Sequence, residues 1–87
     1  MPNQKVLVID DERIVIDSVT KILKEERIDV EATLSGRQGL EMALKKDYDL
    51  VLTDLRMPDI GGMRVLRDLK RAKPNLPVVM ITGYATV

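Results

Sequence analysis

Acidic and hydroxyl side chains follow three short apolar runs of the chain, and these are the residues whose types could do chemistry. Asp10 and Asp11 follow the first run, Asp54 closes the second, and Thr82 closes the third. Each run is long enough for a buried strand and too short for a helix. If the strands are parallel, their carboxyl ends lie side by side, and three carboxylates and one hydroxyl share one crevice.

Neighbouring carboxylates of this kind favour a metal site. Three close negative charges repel one another, so at least one is driven towards protonation unless a cation lies among them. Magnesium prefers oxygen ligands and usually keeps several waters. Two carboxylates, a loop carbonyl and waters would satisfy the ion and leave one position for a phosphoryl oxygen.

Each of these residues also has a simpler structural explanation. Asp10 or Asp11 could cap the helix that follows, since aspartate is a good N-cap residue. Asp54 could be a solvated loop residue, and Thr82 could be an ordinary strand residue. Gly61-Gly62 is typical of a turn, and no phosphate-binding G-x-x-x-x-G-K motif is present. The joint placement of the acids at two strand ends favours a site.

Composition excludes several other function classes. The chain contains no cysteine and no histidine, which excludes thiolate chemistry and the commonest general base and transition-metal ligand. Acids and bases are equal in number, so no basic nucleic-acid footprint exists. No apolar run approaches the length of a membrane span. The first residues have no signal-peptide core, so we expect a cytoplasmic location.

The elements that must position these residues alternate along the sequence. Four apolar runs predict strands and three amphipathic patterns between them predict helices, an α/β order typical of a parallel sheet with helices on both faces. The predicted strands are Lys5 to Ile9, Asp29 to Leu34, Leu50 to Thr53 and Val78 to Thr82.

The helices carry recognisable signals at their ends and on one face. The first is predicted from about Glu12 to Arg27, and Ser35 to Gln38 match a capping box that opens the second. A proline-containing segment from Lys73 ends the third. The apolar stripe predicted for the first helix comprises Val15, Val19 and Ile22, widened by Ile14 and Leu23.

These motifs together resemble the receiver domain of bacterial two-component response regulators. The resemblance rests on Asp10-Asp11, on the segment Asp54-Leu55-Arg56-Met57-Pro58-Asp59-Ile60-Gly61-Gly62 and on Thr82-Gly83. Residues 52–58 and 80–87 are most similar to receivers attached to sigma-54-dependent transcription activators. The resemblance implies a flavodoxin-like, doubly wound fold with strand order 2-1-3-4-5.

The resemblance also implies roles for individual residues. Asp54 would accept a phosphoryl group from the phosphohistidine of a histidine kinase. Asp11 and Asp54 would bind Mg²⁺ directly, together with the backbone carbonyl of Arg56. Asp10 would act mostly through a bound water. Thr82 would hydrogen-bond the phosphoryl group and move with it, which is the switch that controls a downstream output.

One departure from the family pattern bears on assembly. The family has a fifth strand with a lysine at its carboxyl end and helices on either side, and this sequence ends at Val87. We therefore expect residues 1–87 to be one receiver domain that is truncated before the fourth helix. Lys73, which follows the third helix, would not replace that lysine. The fourth strand would then be an exposed edge through which copies self-associate.

Two alternatives compete with this interpretation. The chain could be a binding module that has the fold but is not phosphorylated, a pseudo-receiver. It could also be a magnesium-dependent phosphatase with an aspartyl nucleophile, of the haloacid-dehalogenase type. Those enzymes carry a second aspartate two residues after the nucleophile, where this chain has Arg56, which could not act as the general acid. We therefore expect a signalling domain and not an enzyme.

Overall fold

The computed structural model describes residues 3–81 and forms one four-stranded sheet with helices between the strands. All strand pairs are parallel, and the order across the sheet is β2-β1-β3-β4. The predicted α/β class and the neighbour order 2-1-3-4 are confirmed. The elements are β1 (Lys5–Ile9), α1 (Arg13–Glu25), β2 (Asp29–Thr33), α2 (Gly36–Lys45), β3 (Leu50–Asp54), α3 (Gly62–Ala72) and β4 (Val78–Ile81).

The alternation of side chains along β1 divides the core into two clusters on opposite faces of the sheet. Leu7 and Ile9 point to the face covered by α2 and α3, where Val65 and Leu69 of α3 are fully buried. The neighbouring side chains of β1 contact Ile16 of α1 on the other face. β1 is therefore covered on both sides, which explains its continuous apolar sequence. No helix within residues 3–81 is long and apolar enough to cross a membrane.

The apolar stripe predicted for α1 is wrong at two positions. Ile14 and Ile22 are 79% and 60% exposed, whereas Ile16 is the buried residue, with Val19 partly buried beside it. Three apolar residues in succession at the start of the helix leave its rotation undetermined by sequence, and packing against the sheet selects one of them. The helix ends at Glu25.

The end of α1 has a backbone cause. Arg27 has a φ of 62°, in the left-handed region that favours glycine, and this conformation cannot continue a right-handed helix. The N–H of Ile28 then donates back to the carbonyl of Leu23 at 3.0 Å and closes the final turn.

The predicted capping box of α2 is confirmed in one half only. The Ser35 hydroxyl accepts from the N–H of Gln38 at 3.1 Å, as an N-cap should. The second bond of a capping box, between the Gln38 side chain and the N–H of Ser35, is absent. The hydroxyl of Thr33 binds both of these groups instead. It donates to Oε1 of Gln38 at 3.0 Å and accepts from the N–H of Ser35 at 3.2 Å.

A lysine beyond α3 binds the other end of α2. Lys73 Nζ donates to the carbonyl of Lys46 at 2.7 Å and lies 3.8 Å from a carboxylate oxygen of Asp47. A cation at a helix C-terminus is favourable because the helix dipole is negative there. The contact holds Lys73 near the start of β3, at the opposite edge of the sheet from Asp54.

Within residues 3–81, β4 pairs with β3 alone and is an edge strand. Val79 is 47% exposed and the other three residues of β4 are only partly buried, so the expectation of a buried fourth strand is wrong. Val79 lies beside Leu52, on the face that α1 covers. The edge position is confirmed for the described residues, and Thr82 lies outside them.

Candidate functional site

Three carboxylates meet at the carboxyl edge of the sheet because of the register between β1 and β3. Ile9 is the parallel partner of Thr53, so the residues that follow, Asp10 and Asp54, lie next to each other. Asp11 extends from the same edge. One ligand oxygen from each of the three carboxylates lies within 4.8 Å of the others. The predicted convergence of Asp10, Asp11 and Asp54 is thus present.

Asp10 is the buried member of the cluster, with only 3% of its surface exposed. Burial raises the pKa of its carboxyl above the ordinary value, and the nearby charges of Asp54 and Asp11 add to the effect. A hydrogen bond from the N–H of Glu12 to Oδ1, at 2.9 Å, lowers the pKa and offsets part of this increase. A raised acid pKa means that the folded chain holds its proton more tightly than the unfolded chain. The contribution of Asp10 to folding stability therefore falls as pH rises through that pKa. A bound cation would favour the ionised carboxylate and offset this loss of stability.

The helix-cap explanation for the acidic pair is not supported in its simple form. The N-cap residue of α1 is Glu12, and its side chain makes no capping bond. The Asp10 carboxylate accepts from the N–H of Glu12 and so supports the start of the helix from two residues before its N-cap. This single bond leaves the second Asp10 oxygen for the cluster.

Asp54 is fixed by the start of α3. Its Oδ1 accepts from the N–H of Leu55 at 2.8 Å, and the carbonyl of Leu55 accepts from the N–H of Gly62 at 2.9 Å. A Cβ atom on Gly62 would collide with the backbone carbonyl of Asp54. Gly61 and Gly62 therefore do more than form a turn, because Gly62 lets the helix begin directly against the strand end that carries Asp54.

The carboxylates open into a pocket of about 330 Å³ between α1 and the loop that follows β3. Arg56, the residue predicted to supply a backbone carbonyl, is one of the residues that line this pocket. The full lining is Asp10, Asp11, Glu12, Val15, Asp54, Arg56, Met57 and Pro58.

The donor set fits a hard divalent cation. The acidic ligands are all carboxylate oxygens, and within residues 3–81 no histidine or cysteine competes with them. Opposite ligands of octahedral Mg²⁺ are separated by roughly 4.2 Å. Oxygens that all lie within 4.8 Å of one another are close enough for one such ion to be held among them, with waters at its remaining positions.

Sequence reasoning missed one residue, Asp59. Its carboxylate accepts from the hydroxyl of Ser35 at 2.7 Å, the N–H of Arg37 at 2.8 Å and the N–H of Gly36 at 3.1 Å. The bond from Arg37 is the main reason that the pKa of Asp59 lies far below its ordinary value, with the Ser35 hydroxyl next in effect. Aspartate is a common helix-capping residue, but nothing in the sequence indicates that Asp59 caps a helix more than 20 residues earlier.

Comparisons with known proteins agree with this arrangement. The sequence model of the response regulator receiver domain matches residues 6–87. The cell cycle response regulators CtrA of Brucella ovis and Brucella canis are 35% identical over 83 residues, which is 95% of this chain and 36% of each relative. The chain thus spans little more than a third of the length of these curated relatives.

Solved structures give the same result for the fold. A CheY-like receiver domain protein from Methanospirillum hungatei superposes with a TM-score of 0.91 at 29% identity, covering 99% of this chain and 69% of that one. The Thermotoga maritima response regulator TrrA, solved in complex with Mg²⁺-BeF, gives 0.90 at 28% identity over 94% and 71% of the two chains. A structure of the histidine kinase ThkA in complex with TrrA gives 0.88 at 28% identity over 95% and 72%. The flavodoxin-like fold is confirmed, and the chain belongs to the response regulator receiver domain family.

Proposed function

We propose that Asp54 accepts a phosphoryl group from the phosphohistidine of a histidine kinase, in a Mg²⁺-dependent reaction that switches a downstream output. The observation that carries this proposal is the convergence of three carboxylates, within 4.8 Å, at the mouth of one pocket. Such a cluster is costly without a cation, and phosphoryl transfer needs little more than positioning and charge neutralisation.

We assign a different role in phosphoryl transfer to each of the pocket residues. One Asp54 oxygen forms a bond to phosphorus while the phosphorus–nitrogen bond of the donor breaks, and the electron pair of that bond stays on the imidazole. Asp11, Asp54 and the Arg56 carbonyl would hold Mg²⁺, and Asp10 would hold one of its waters. Bound Mg²⁺ supplies positive charge to the phosphoryl oxygens. Thr82, outside the described residues, would hydrogen-bond the phosphoryl group and act as the switch.

The phosphoryl donor that we propose for this pocket is a histidine kinase, and exposed apolar residues near the pocket support a protein partner. Ile14, in the first turn of α1, is 79% exposed, and Met63, in the first turn of α3, is 59% exposed. α1 begins two residues after Asp11, and Gly62 at the start of α3 lies against the backbone of Asp54, so both turns begin near the acidic cluster. A protein partner that brings a phosphohistidine to Asp54 would cover Ile14 and Met63. The related TrrA is solved in complex with a histidine kinase.

The wider cellular role extends the same proposal. We infer a cytoplasmic signalling domain with an output that regulates transcription, because residues 52–58 and 80–87 are similar to receivers attached to transcription activators. Attachment to a sigma-54-dependent activator rests on the motifs at residues 52–58 and 80–87 alone. The pseudo-receiver and the aspartyl phosphatase remain the alternatives that an experiment must separate.

Acetyl phosphate provides a direct test of the three possibilities. With Mg²⁺, we expect intact-mass spectrometry to show one added phosphoryl group per chain, absent with chelator and removed by hydroxylamine as an acyl phosphate should be. Repeated turnover of a phosphate ester such as p-nitrophenyl phosphate would favour the phosphatase. A chain that neither binds label nor turns over substrate would be a pseudo-receiver.

Self-association through β4 is the second part of the proposal. The strand Val78–Ile81 contains no charge and no proline, pairs on one side only within the described residues, and has Val79 half-exposed. Free edges of this kind pair with other chains. We expect the mass measured by light scattering to rise with concentration for residues 1–87, and to rise less for Val79→Lys, which places a charge on the edge. A monomeric mass at every concentration would contradict the proposal.

A further inference from the structure

The loop between β3 and α3 is anchored at two points, and the residue predicted to supply a metal ligand lies between them. The first anchor is Leu55, whose carbonyl accepts from the N–H of Gly62 at 2.9 Å. The second is Asp59, which binds the first turn of α2. Three residues separate the anchors, and Arg56 is the first of them.

The second anchor is strong because it is charged and made of three bonds. The Asp59 carboxylate accepts hydrogen bonds from the hydroxyl of Ser35 at 2.7 Å and from the N–H groups of Arg37 and Gly36 at 2.8 and 3.1 Å. Hydrogen bonds from a helix N-terminus to an ionised carboxylate are about twice as strong as neutral ones. The same bonds hold the pKa of Asp59 below its ordinary value, which favours the ionised carboxylate.

The loop packs closely against the start of α2. A Cβ built on Gly36 would lie 2.9 Å from the carbonyl oxygen of Ile60 and 3.0 Å from Cε of Met57, so the loop rests directly on the start of α2. Pro58 has a fixed φ, which further limits the conformations open to the three residues between the anchors. The position of the Arg56 carbonyl therefore depends on where Asp59 is held.

We propose that Asp59 is a positioning residue for the metal site: by binding the N-terminus of α2, it holds the Arg56 carbonyl in place to complete the ligand set of Asp11 and Asp54. This inference rests on the proposed function, because it concerns the same Mg²⁺ site. It adds a residue that does not line the pocket. It also links metal binding to α2, which contributes no ligand to the cluster.

The choice of metal distinguishes positioning from general stabilisation. Mg²⁺ requires short bonds in near-ideal octahedral geometry, whereas Ca²⁺ accepts longer bonds in flexible arrangements. A displaced Arg56 carbonyl should therefore weaken Mg²⁺ more than Ca²⁺. A loss of folded protein would instead weaken both ions by the same factor.

The test compares Asp59→Asn with Lys73→Met by titration calorimetry, using each ion alone. Asparagine removes the negative charge and places a hydrogen-bond-donating amide opposite backbone N–H donors, which weakens the contact with α2. We therefore expect Mg²⁺ affinity to fall about tenfold, as for other outer-shell residues of metal sites. The ratio of Mg²⁺ to Ca²⁺ affinity should fall by at least about threefold, because the geometric demand is specific to Mg²⁺. Lys73→Met removes the contact at the opposite end of α2 and is the matched control, which should leave the ratio unchanged.

The outcomes separate this inference from the proposed function. Absence of Mg²⁺ binding by the unsubstituted chain would overturn the proposed site and the inference together. Normal binding with an unchanged ratio in Asp59→Asn, or an equal change in Lys73→Met, would overturn the inference alone. If Asp59→Asn does not fold by circular dichroism, Ser35→Gly removes one of the three bonds at an N-cap cost of only a few tenths of a kcal/mol. Ser35→Gly should then lower the ratio of Mg²⁺ to Ca²⁺ affinity to about half of its value in the unsubstituted chain. An unchanged ratio would refute the role of Asp59.

Discussion

Replacing Asp54 with alanine is expected to abolish phosphoryl labelling by acetyl phosphate, a loss of at least about 10³-fold in rate, because the substitution removes the nucleophile. The neighbouring acids should not substitute for it. Asp10 is buried, and one of its oxygens is engaged by the N–H of Glu12. Asp11 is proposed to be a direct Mg²⁺ ligand and not the acceptor. The measurement is the intact mass of the chain after incubation with acetyl phosphate and Mg²⁺.

The matched control for this experiment is Asp17→Ala. Asp17 is an exposed acid on α1 that does not line the acidic pocket, and the same substitution there should leave labelling as in the unsubstituted chain. Circular dichroism of both variants checks that each of them is folded. Label that persists at a full equivalent in Asp54→Ala would show that another residue is the acceptor.

Replacing Asp11 with asparagine is expected to weaken Mg²⁺ binding by at least about tenfold, because it removes one charged ligand from a site built of carboxylates. Asparagine keeps the size and one oxygen of the side chain, so the change isolates the charge. Titration calorimetry at fixed pH gives the dissociation constant directly.

Glu12→Gln provides the comparison, because it removes a charge from the next residue along the chain. Glu12 lines the pocket but lies outside the group of acids whose oxygens come together. We expect its substitution to change Mg²⁺ affinity by less than about threefold, as for a charge that acts only through solvent-screened attraction. Equal Mg²⁺ affinity in the unsubstituted chain and in Asp11→Asn would refute the assignment of Asp11.

The acidic cluster could be predicted from sequence because each step of the prediction is local. Continuous apolar runs indicate parallel strands, and parallel strands bring the residues that follow them to one edge. The positions of Asp10, Asp11 and Asp54 follow from those two rules and are confirmed. The role of Thr82, the sigma-54 subtype and the truncation of residues 1–87 stay predictions.

The features that sequence could not provide depend on contacts between distant residues. The rotation of α1 is set by which of three successive apolar residues meets the sheet, and the sheet is formed mostly by later residues. The capping box of α2 is changed by Thr33, which belongs to the preceding strand. Asp59 binds residues 22 to 24 positions earlier, and no periodicity or local motif encodes such a bond.

The two charges that bind the ends of α2 have a consequence for how the chain folds. Asp59 precedes α3 and Lys73 follows it, yet Asp59 binds the first turn of α2 and Lys73 binds its C-cap residue, Lys46. A helix of ten residues is too short to be stable alone in water, so α2 depends on partners that are in place only when α3 has docked. The two helices should therefore form and open as one cooperative unit, while α1, on the opposite face, exchanges its amide hydrogens independently.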